Sequence, residues 1–511
     1  MRRKMDKIAI LDFGGQYCHL ISRRVRELGV FSTVLPASTS AKTLRDDPEI
    51  KGIIISGGAN SVYLPDAPQF DKEILEIGLP ILGICYGHQL IAYTLHGKVE
   101  SGTNGEYGPA ALTCKNGVLF CNIKSVQSVW MNHRDIITKL PAGFDIVAST
   151  ENCEIAAYED KKRQIFGLQF HPEVTHTQKG QKMMRNFVIE VCKCKRSWTS
   201  KSLAENIVNE TIATIGDKKA IIGLSGGIDS SVAAMLVGMA IHKNLIAVYV
   251  DTGLMRYGET ATIRRIFKDI KVDLRIVEAH EAFFAGLKGV SEPEQKRKII
   301  GKLFVDIFQK IAREEKADFL IQGTIYSDRI ESGITKNSST IKSHHNVGGL
   351  PKDLKLSLYE PLRELYKDEV RNLAKTITLP IEITTQQVFP GPGLAVRIVG
   401  EVTREKAETV RQAGRIIEEE LRNTRHWKKI WMSFAVLLPV KSVGIQGDER
   451  SYKNPIVLRI IESRDAMTAT YSHIPHHILT KISTRITNEI KEINRVVYDI
   501  TNKPPATMEW E

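Results

Sequence analysis

Cysteine is missing from the last 317 positions of this 511-residue chain: all seven cysteines lie at or before Cys194. An odd, scattered set does not make a disulfide framework and fits reduced thiols. Cys192-Lys193-Cys194 lacks the two-residue spacer of a zinc knuckle and has no second Cys pair, so no structural zinc is expected there. Long apolar runs are also missing. The longest candidate, 434–440, is interrupted by Pro439, which excludes a membrane span. The apolar stretch behind the basic start Met1-Arg2-Arg3-Lys4 is too short for a signal h-region. The expectation is a cytoplasmic protein with no membrane partner. Aromatic residues make up 7%, and no basic stretch is interleaved with them for stacking on bases. The net charge of +12 is therefore read as serving small anions such as nucleotides and pyrophosphate rather than nucleic acid. There is no internal repeat.

What is present is ordinary globular composition, 42% hydrophobic and 25% charged, on a chain long enough for two to four domains. An apolar run at 7–13 ends in Gly14-Gly15. A helical pattern through Leu20, Val25 and Leu28 follows and stops at Gly29. Further buried strands are expected at 52–58, 79–84 and 164–170. After a polar, basic stretch at 193–201 a second series restarts, with strands at 220–224, 245–250, 272–277 and 317–322 and a helix at 230–240. Ile299, Ile300, Leu303, Phe304, Ile307, Phe308 and Ile311 recur at helical spacing. Residues 333–355 are polar, Gly-containing and aperiodic, and read as a mobile lid. Phe389-Pro390-Gly391-Pro392-Gly393 is a rigid turn. A helix at 405–421, β-like runs and a helical stretch at 478–497 follow. The expected fold is α/β: two doubly wound α/β domains, 1–195 and 196–388, plus a small C-terminal α+β domain, 389–511. Ligands in such sheets sit at the carboxyl ends of strands.

Two segments carry chemistry. Gly83-Ile84-Cys85-Tyr86-Gly87 has the small residues two places either side that a nucleophile elbow needs, with a thiol in the nucleophile position. The N–H of Tyr86, with one from Gly57 or Gly58, would form an oxyanion hole. A thiol nucleophile wants an imidazole, and the imidazole a carboxylate. Among many histidines, Phe170-His171-Pro172-Glu173 stands out, since it follows a strand and sets His and Glu two apart. The second segment is Ser225-Gly226-Gly227-Ile228-Asp229-Ser230-Ser231, between a strand and a helix. Backbone N–H groups, serine hydroxyls and the helix N-terminus suit pyrophosphate. It has no Walker A lysine. Asp229 beside phosphates makes sense as a Mg²⁺ ligand.

The run from Gly83 to Gln89, with Phe170-His171-Pro172-Glu173, resembles the class I glutamine amidotransferase domain. That resemblance implies a triad of Cys85, His171 and Glu173 that releases ammonia from glutamine. The Ser225–Ser231 segment resembles the PP-loop of N-type ATP pyrophosphatases. Lys342-Ser343-His344-His345-Asn346-Val347-Gly348-Gly349, Arg363-Glu364-Leu365-Tyr366-Lys367-Asp368, Phe389-Pro390-Gly391-Pro392-Gly393-Leu394 and Lys503-Pro504-Pro505-Ala506-Thr507-Met508-Glu509-Trp510-Glu511 resemble the glutamine-hydrolysing GMP synthase family over essentially the whole chain. Tyr257 departs from it, where a basic residue is usual. The resemblance implies amination of XMP with ATP, Mg²⁺ and glutamine. It also implies Lys367 at the ATP site, XMP near Arg297, Gln446, Lys503 and Glu509, and a homodimer. Another glutamine-dependent PP-loop ligase, such as NAD synthetase, is the alternative, and the Lys-Pro-Pro segment argues against it. A tRNA-binding PP-loop protein is the other, and thiolation chemistry lacks a cysteine after Cys194.

Overall fold

The computed structural model describes residues 5–268, 272–326, 328, 356–446, 448–463 and 468–511. The lid expected at 333–355 lies outside these residues. The chain forms two compact units, Arg2–Leu203 and Ala204–Glu511.

The first unit is built on nine strands: β1 (Lys7–Asp12), β2 (Phe31–Pro36), β3 (Ile50–Ile55), β4 (Ile81–Ile84), β5 (Lys98–Cys114), β6 (Val126–Lys139), β7 (Asp145–Ser149), β8 (Ala157–Asp160) and β9 (Ile165–Leu168). Their order is β2-β1-β3-β4-β9-β8-β7-β5-β6. The pairings are parallel from β2 to β9 and antiparallel beyond. Side chains alternate across a strand, so Ile8, Ile10, Ile54 and Leu82 feed one core while Ala9, Leu11, Ile53 and Ile81 feed the other. Burial on both faces is what a parallel sheet covered by helices on each side requires.

The second unit holds a wholly parallel sheet of β10 (Ala220–Leu224), β11 (Leu245–Asp251), β12 (Asp273–Glu278), β13 (Phe319–Ile321) and β14 (Ser357–Tyr359), in the order β12-β11-β10-β13-β14. A third sheet centres on β17 (Glu449–Glu462). It pairs antiparallel with β15 (Ile430–Leu437), β16 (Ser442–Gln446) and β18 (Thr470–Tyr471), and parallel with β19 (Ile493–Tyr498). One hydrophobic cluster runs from Ile221 and Val248 through Leu394, Ile398 and Ile417 to Leu437 and Ile460.

The helical stretch expected at 478–497 is corrected. The helix covers His476–Glu489, its C-cap Ile490 is extended, and the remainder is β19. Ile493, Val496 and Val497 are β-branched and find a parallel partner in β17. Pairing and branching together outweigh the continuing apolar periodicity.

Arg459, 1% exposed on β17, fixes the segment that follows β19. Its guanidinium donates to Asp499 Oδ2 at 2.8 Å, Thr501 O at 2.6 Å and Thr507 O at 2.8 Å. Removing one partner of a buried ion pair leaves the other uncompensated. Arg459→Leu is therefore expected to lower stability by about 3–5 kcal/mol. An unchanged urea midpoint would show that the segment is not held by this arginine.

Candidate active sites

Cys85 sits between β4 and the helix Tyr86–Thr94, with φ 54° and ψ −105°. A non-glycine residue with positive φ is strained and persists only where its surroundings enforce it. Here the enforcement is close backbone approach. A Cβ on Gly87 would lie 2.3 Å from Ile55 O, and one on Gly83 2.5 Å from Gly87 O. The Cys85 N–H donates to Leu168 O of β9 at 2.8 Å and the Gly87 N–H to Ser56 O at 3.1 Å. The thiol is thus presented at the carboxyl end of the parallel strands.

His171 follows β9. Its N–H donates to Trp130 O at 3.1 Å, and its carbonyl accepts from Thr177 Oγ1 at 2.6 Å. Both side chains converge on Gly57: a Cβ there would lie 3.4 Å from His171 Cε1 and 3.6 Å from Cys85 Cβ. Glu173, fully buried, accepts from His171 Nδ1 at 2.7 Å. His171 Nε2 is buried without a hydrogen-bond partner. Burial pushes the imidazolium down, but the Glu173 carboxylate and the neighbouring Cys85 more than reverse this and hold it well above the ordinary value of 6.5. The structure thus brings Cys85, His171 and Glu173 together, with Gly57 and Tyr86 beside the thiol. Gly58 packs on the Tyr86 ring, where an added Cβ would meet Cγ at 3.2 Å.

In the second unit, Ser225–Ser231 joins β10 to the helix Ile228–Ile241. Gly226 takes φ +72°. The loop's serines are turned onto its own backbone. Ser230 Oγ lies 3.2 Å from Ser225 N and donates to Gly227 O at 3.1 Å, and Ser231 Oγ donates to Gly227 O at 2.9 Å. This fixes the N–H groups at a helix N-terminus, where anions are favoured. Lys367, opening the helix Lys367–Thr376, reaches Asp229 Oδ2 at 2.5 Å. Asp229 Oδ1 is buried with no hydrogen-bond partner. An orphaned carboxylate oxygen beside a phosphate-binding loop fits a hard divalent cation.

The four residues assigned to XMP are divided. Arg297 donates to Glu511 O, and Glu509 accepts from Arg397 Nε and Nη2 at 3.1 and 3.0 Å. Arg297 and Glu509 therefore meet through the terminal segment. Lys503 bridges Ala469 by two backbone bonds of 3.0 and 2.8 Å. Gln446 is held in its own hairpin by Lys453 and donates to Ile493 O at 3.3 Å.

Several neighbours of these sites were not legible in the sequence. The carboxylate of Glu259 lies against Gly226, 1.8 Å from where a Cβ would stand, and burial raises its pKa. A Cβ on Gly323, just beyond β13, would come within 3.0 Å of Ser230 N. A glycine following a strand was the available signal there. Arg256, Phe389, Arg397, Trp427 and Phe434 line a cavity of about 270 Å³. Glu106, His133 and Cys153 are buried with possible ligand atoms within 4.8 Å of one another. Glu106 is already met by Thr150 Oγ1 at 2.8 Å and by His133 Nε2 at 3.2 Å.

The raised His171 value makes a pH prediction. Its ion pair with Glu173 stabilises the fold fully below the unfolded value near 6.5, and that contribution is lost as pH rises through the folded value. Glu173→Gln removes the largest cause of the rise, leaves the smaller contribution of Cys85 and leaves the burial. The His171 ring-nitrogen NMR titration is then expected to move from above 6.5 to below it. A midpoint that stays above would assign the rise to another group.

Comparison with known proteins agrees with this geometry. Residues 9–191 match the family described as glutamine amidotransferase class-I. Residues 201–298 match NAD synthase, and 419–510 match the GMP synthase C terminal domain. The chain is 50% identical to the GMP synthase [glutamine-hydrolyzing] of Clostridium tetani, over 99% of this chain and 100% of that protein. It is 50% identical to that of Caldanaerobacter subterraneus subsp. tengcongensis over 99% of each. With the Brachyspira hyodysenteriae protein of the same name the identity is 48%, over 100% of each. A thiol elbow, a PP-loop and near-complete coverage at half identity together assign the chain to the glutamine-hydrolysing GMP synthase family.

Proposed function

We propose that the chain converts XMP to GMP with glutamine and Mg-ATP, as a cytoplasmic homodimer with no nucleic-acid or membrane partner. The observation that carries this is the union, on one polypeptide of that family, of a strained thiol backed by a buried His–Glu pair and a PP-loop with an orphaned carboxylate oxygen. In the first unit, the Cys85 thiolate attacks the glutamine side-chain amide. The oxyanion is received by the N–H groups of Tyr86 and Gly57. The C–N bond breaks, and His171, held by Glu173, gives the departing nitrogen its proton. Ammonia leaves, and water hydrolyses the thioester to glutamate.

In the second unit, the xanthine O2 attacks the α-phosphorus of ATP and pyrophosphate departs onto Ser225–Ser231. Ammonia then adds at C2, AMP leaves, and GMP remains. Adenylation is needed because an oxygen at C2 is a poor leaving group and AMP a good one. Magnesium held at Asp229 would neutralise the phosphates. Lys367 would hold Asp229 in place and bear on the same anions. Arg297, Gln446, Lys503 and Glu509 are assigned to XMP, and 389–511 to XMP binding and dimerisation, against 196–388 for ATP. The match to the GMP synthase C terminal domain favours XMP over the substrate of a NAD synthetase.

The cytoplasmic assignment is supported by seven free cysteines, and no helix among the described residues is long and apolar enough to cross a membrane. Against a nucleic-acid face, many arginines are already paired. Arg485 alone meets Glu419, Glu420 and Glu489. The homodimer reading is supported by the exposed apolar hairpin of β16 and β17. Val443 faces Tyr452 across it, Ile445 lies two residues on, and these three are 51%, 60% and 76% exposed. An apolar face of this kind marks an interaction surface.

Two experiments test the reading. Cys85→Ala is expected to abolish glutamine-dependent GMP formation and to leave ammonium-dependent formation within about twofold. Asp229→Ala should depress both. Failure of ammonium to rescue folded Cys85→Ala would sink the two-site scheme. Ile445→Asp is expected to yield a monomer in sedimentation at micromolar concentration, and an unchanged dimer would move the interface elsewhere.

A further inference from the structure

Five side chains connect the Glu509 end of the second unit to the PP-loop. Glu509 takes a bidentate bond from Arg397, which is 6% exposed. The Arg397 guanidinium stacks on Phe434 at 4.2 Å and on Phe389 at 4.9 Å. Arg256 shares the Phe389 ring, 4.5 Å from its centroid, and donates to Gln387 O. The Gln386 amide is assigned, from its hydrogen-bond network, the orientation that satisfies both its neighbours. Its oxygen accepts from Arg256 Nη1 at 2.6 Å, and its nitrogen donates to Gly226 O at 2.8 Å. Gly226 is the positive-φ residue of the PP-loop. Gln387 is fixed in turn by Ser433, whose N–H and Oγ both reach Gln387 Oε1, at 2.8 and 2.9 Å.

Two cations on one aromatic ring are each attracted to it and repelled by each other. Glu509 and Glu259 are the carboxylates that offset them, with Glu418 also bearing on Arg256. The arrangement is therefore sensitive to where the Glu509 carboxylate points. We propose that Glu509, Arg397, Phe389, Arg256 and Gln386 form a coupling element through which occupation of the nucleotide site at Glu509 sets the Gly226 turn, so that XMP and ATP bind cooperatively. This rests on the reading that Glu509 meets XMP and Ser225–Ser231 meets pyrophosphate.

The sign follows from charge. When Glu509 shares its carboxylate with a ligand, Arg397 keeps its partner but its charge is less neutralised. The positive potential around Arg256 and the PP-loop rises, and the anionic ATP is favoured. By linkage, ATP favours XMP by the same factor. Arg397 and Phe389 act here as positioning residues. Arg397→Lys removes both the planar fork and the stack, which a lysine cannot reproduce. Phe389→Leu keeps the volume roughly and removes the shared ring.

The test measures the dissociation constant of α,β-methylene-ATP with Mg²⁺, with and without saturating XMP, by calorimetry on the full chain. The wild-type protein is expected to bind the analogue roughly tenfold tighter with XMP present. In Phe389→Leu and Arg397→Lys that ratio should fall below about twofold. A merely structural role would weaken binding or lower the melting temperature while preserving the ratio. Either variant keeping the wild-type ratio while folded overturns the proposal. So does a wild-type ratio of one with both nucleotides bound, which would leave the assigned activity intact. If the wild-type protein bound neither nucleotide, the site assignment would fail and this coupling with it.

Discussion

Close approach of backbones at strand–helix turns is the constraint on which both sites depend. At Cys85 the chain turns so sharply that a Cβ on either flanking glycine would overlap a carbonyl oxygen. At the PP-loop, Gly226 has Glu259 pressed against it and Gly323 lies against the helix start. Neither turn is a soft feature. Each is held by parallel strands on both sides, β3 and β9 around β4, and β11 and β13 around β10. Parallel pairing places every strand's carboxyl end on the same edge. Each reactive segment occupies that edge of its own sheet, where loops, helix N-termini and free N–H groups coincide.

Four charges buried among the described residues are each answered by a partner of opposite sign. His171 is matched by Glu173, Arg459 by Asp499, Lys296 by Glu511 and Arg397 by Glu509. A buried ion left alone costs several kcal/mol. The pairs therefore fix register more than they add stability. Two of them, at Lys296 and Arg397, tie residues 509 and 511 to positions more than a hundred residues earlier. A tail held this way can present Glu509 at a defined place, which a free tail could not.

Much of this was readable in advance. The elbow was legible because its glycine spacing reports a steric need that is local in sequence. The core strands were legible because burial on both faces leaves unbroken apolar runs such as Ile53-Ile54-Ile55. The hairpin of β5 and β6 was not, since it is long and largely polar, with buried residues separated by exposed ones. The strand at 493–498 was masked by the helical spacing that continues from the preceding helix. Arg256, Arg397 and Glu259 escaped for a different reason. Their partners lie in other segments, and a charged residue in sequence looks the same whether it is solvated or buried against its counter-ion. His171 and Glu173 were easier because the pair is two residues apart.

The PP-loop is ordered by its own side chains. Its three serine hydroxyls satisfy one another and the Gly227 carbonyl, so the turn keeps its shape. Lys367 neutralises one oxygen of Asp229 and leaves the other without a donor. A buried carboxylate oxygen in that condition carries an unmet desolvation cost. A divalent cation would meet that cost more fully than a hydroxyl donor. Lys367 binds the opposite oxygen and would not compete with such an ion. The pair thus orients Asp229 and keeps its charge partly offset, while leaving one oxygen without a donor. Strain at Cys85 and incompleteness at Asp229 are two solutions to one requirement: a reactive group must be held still while remaining unsatisfied.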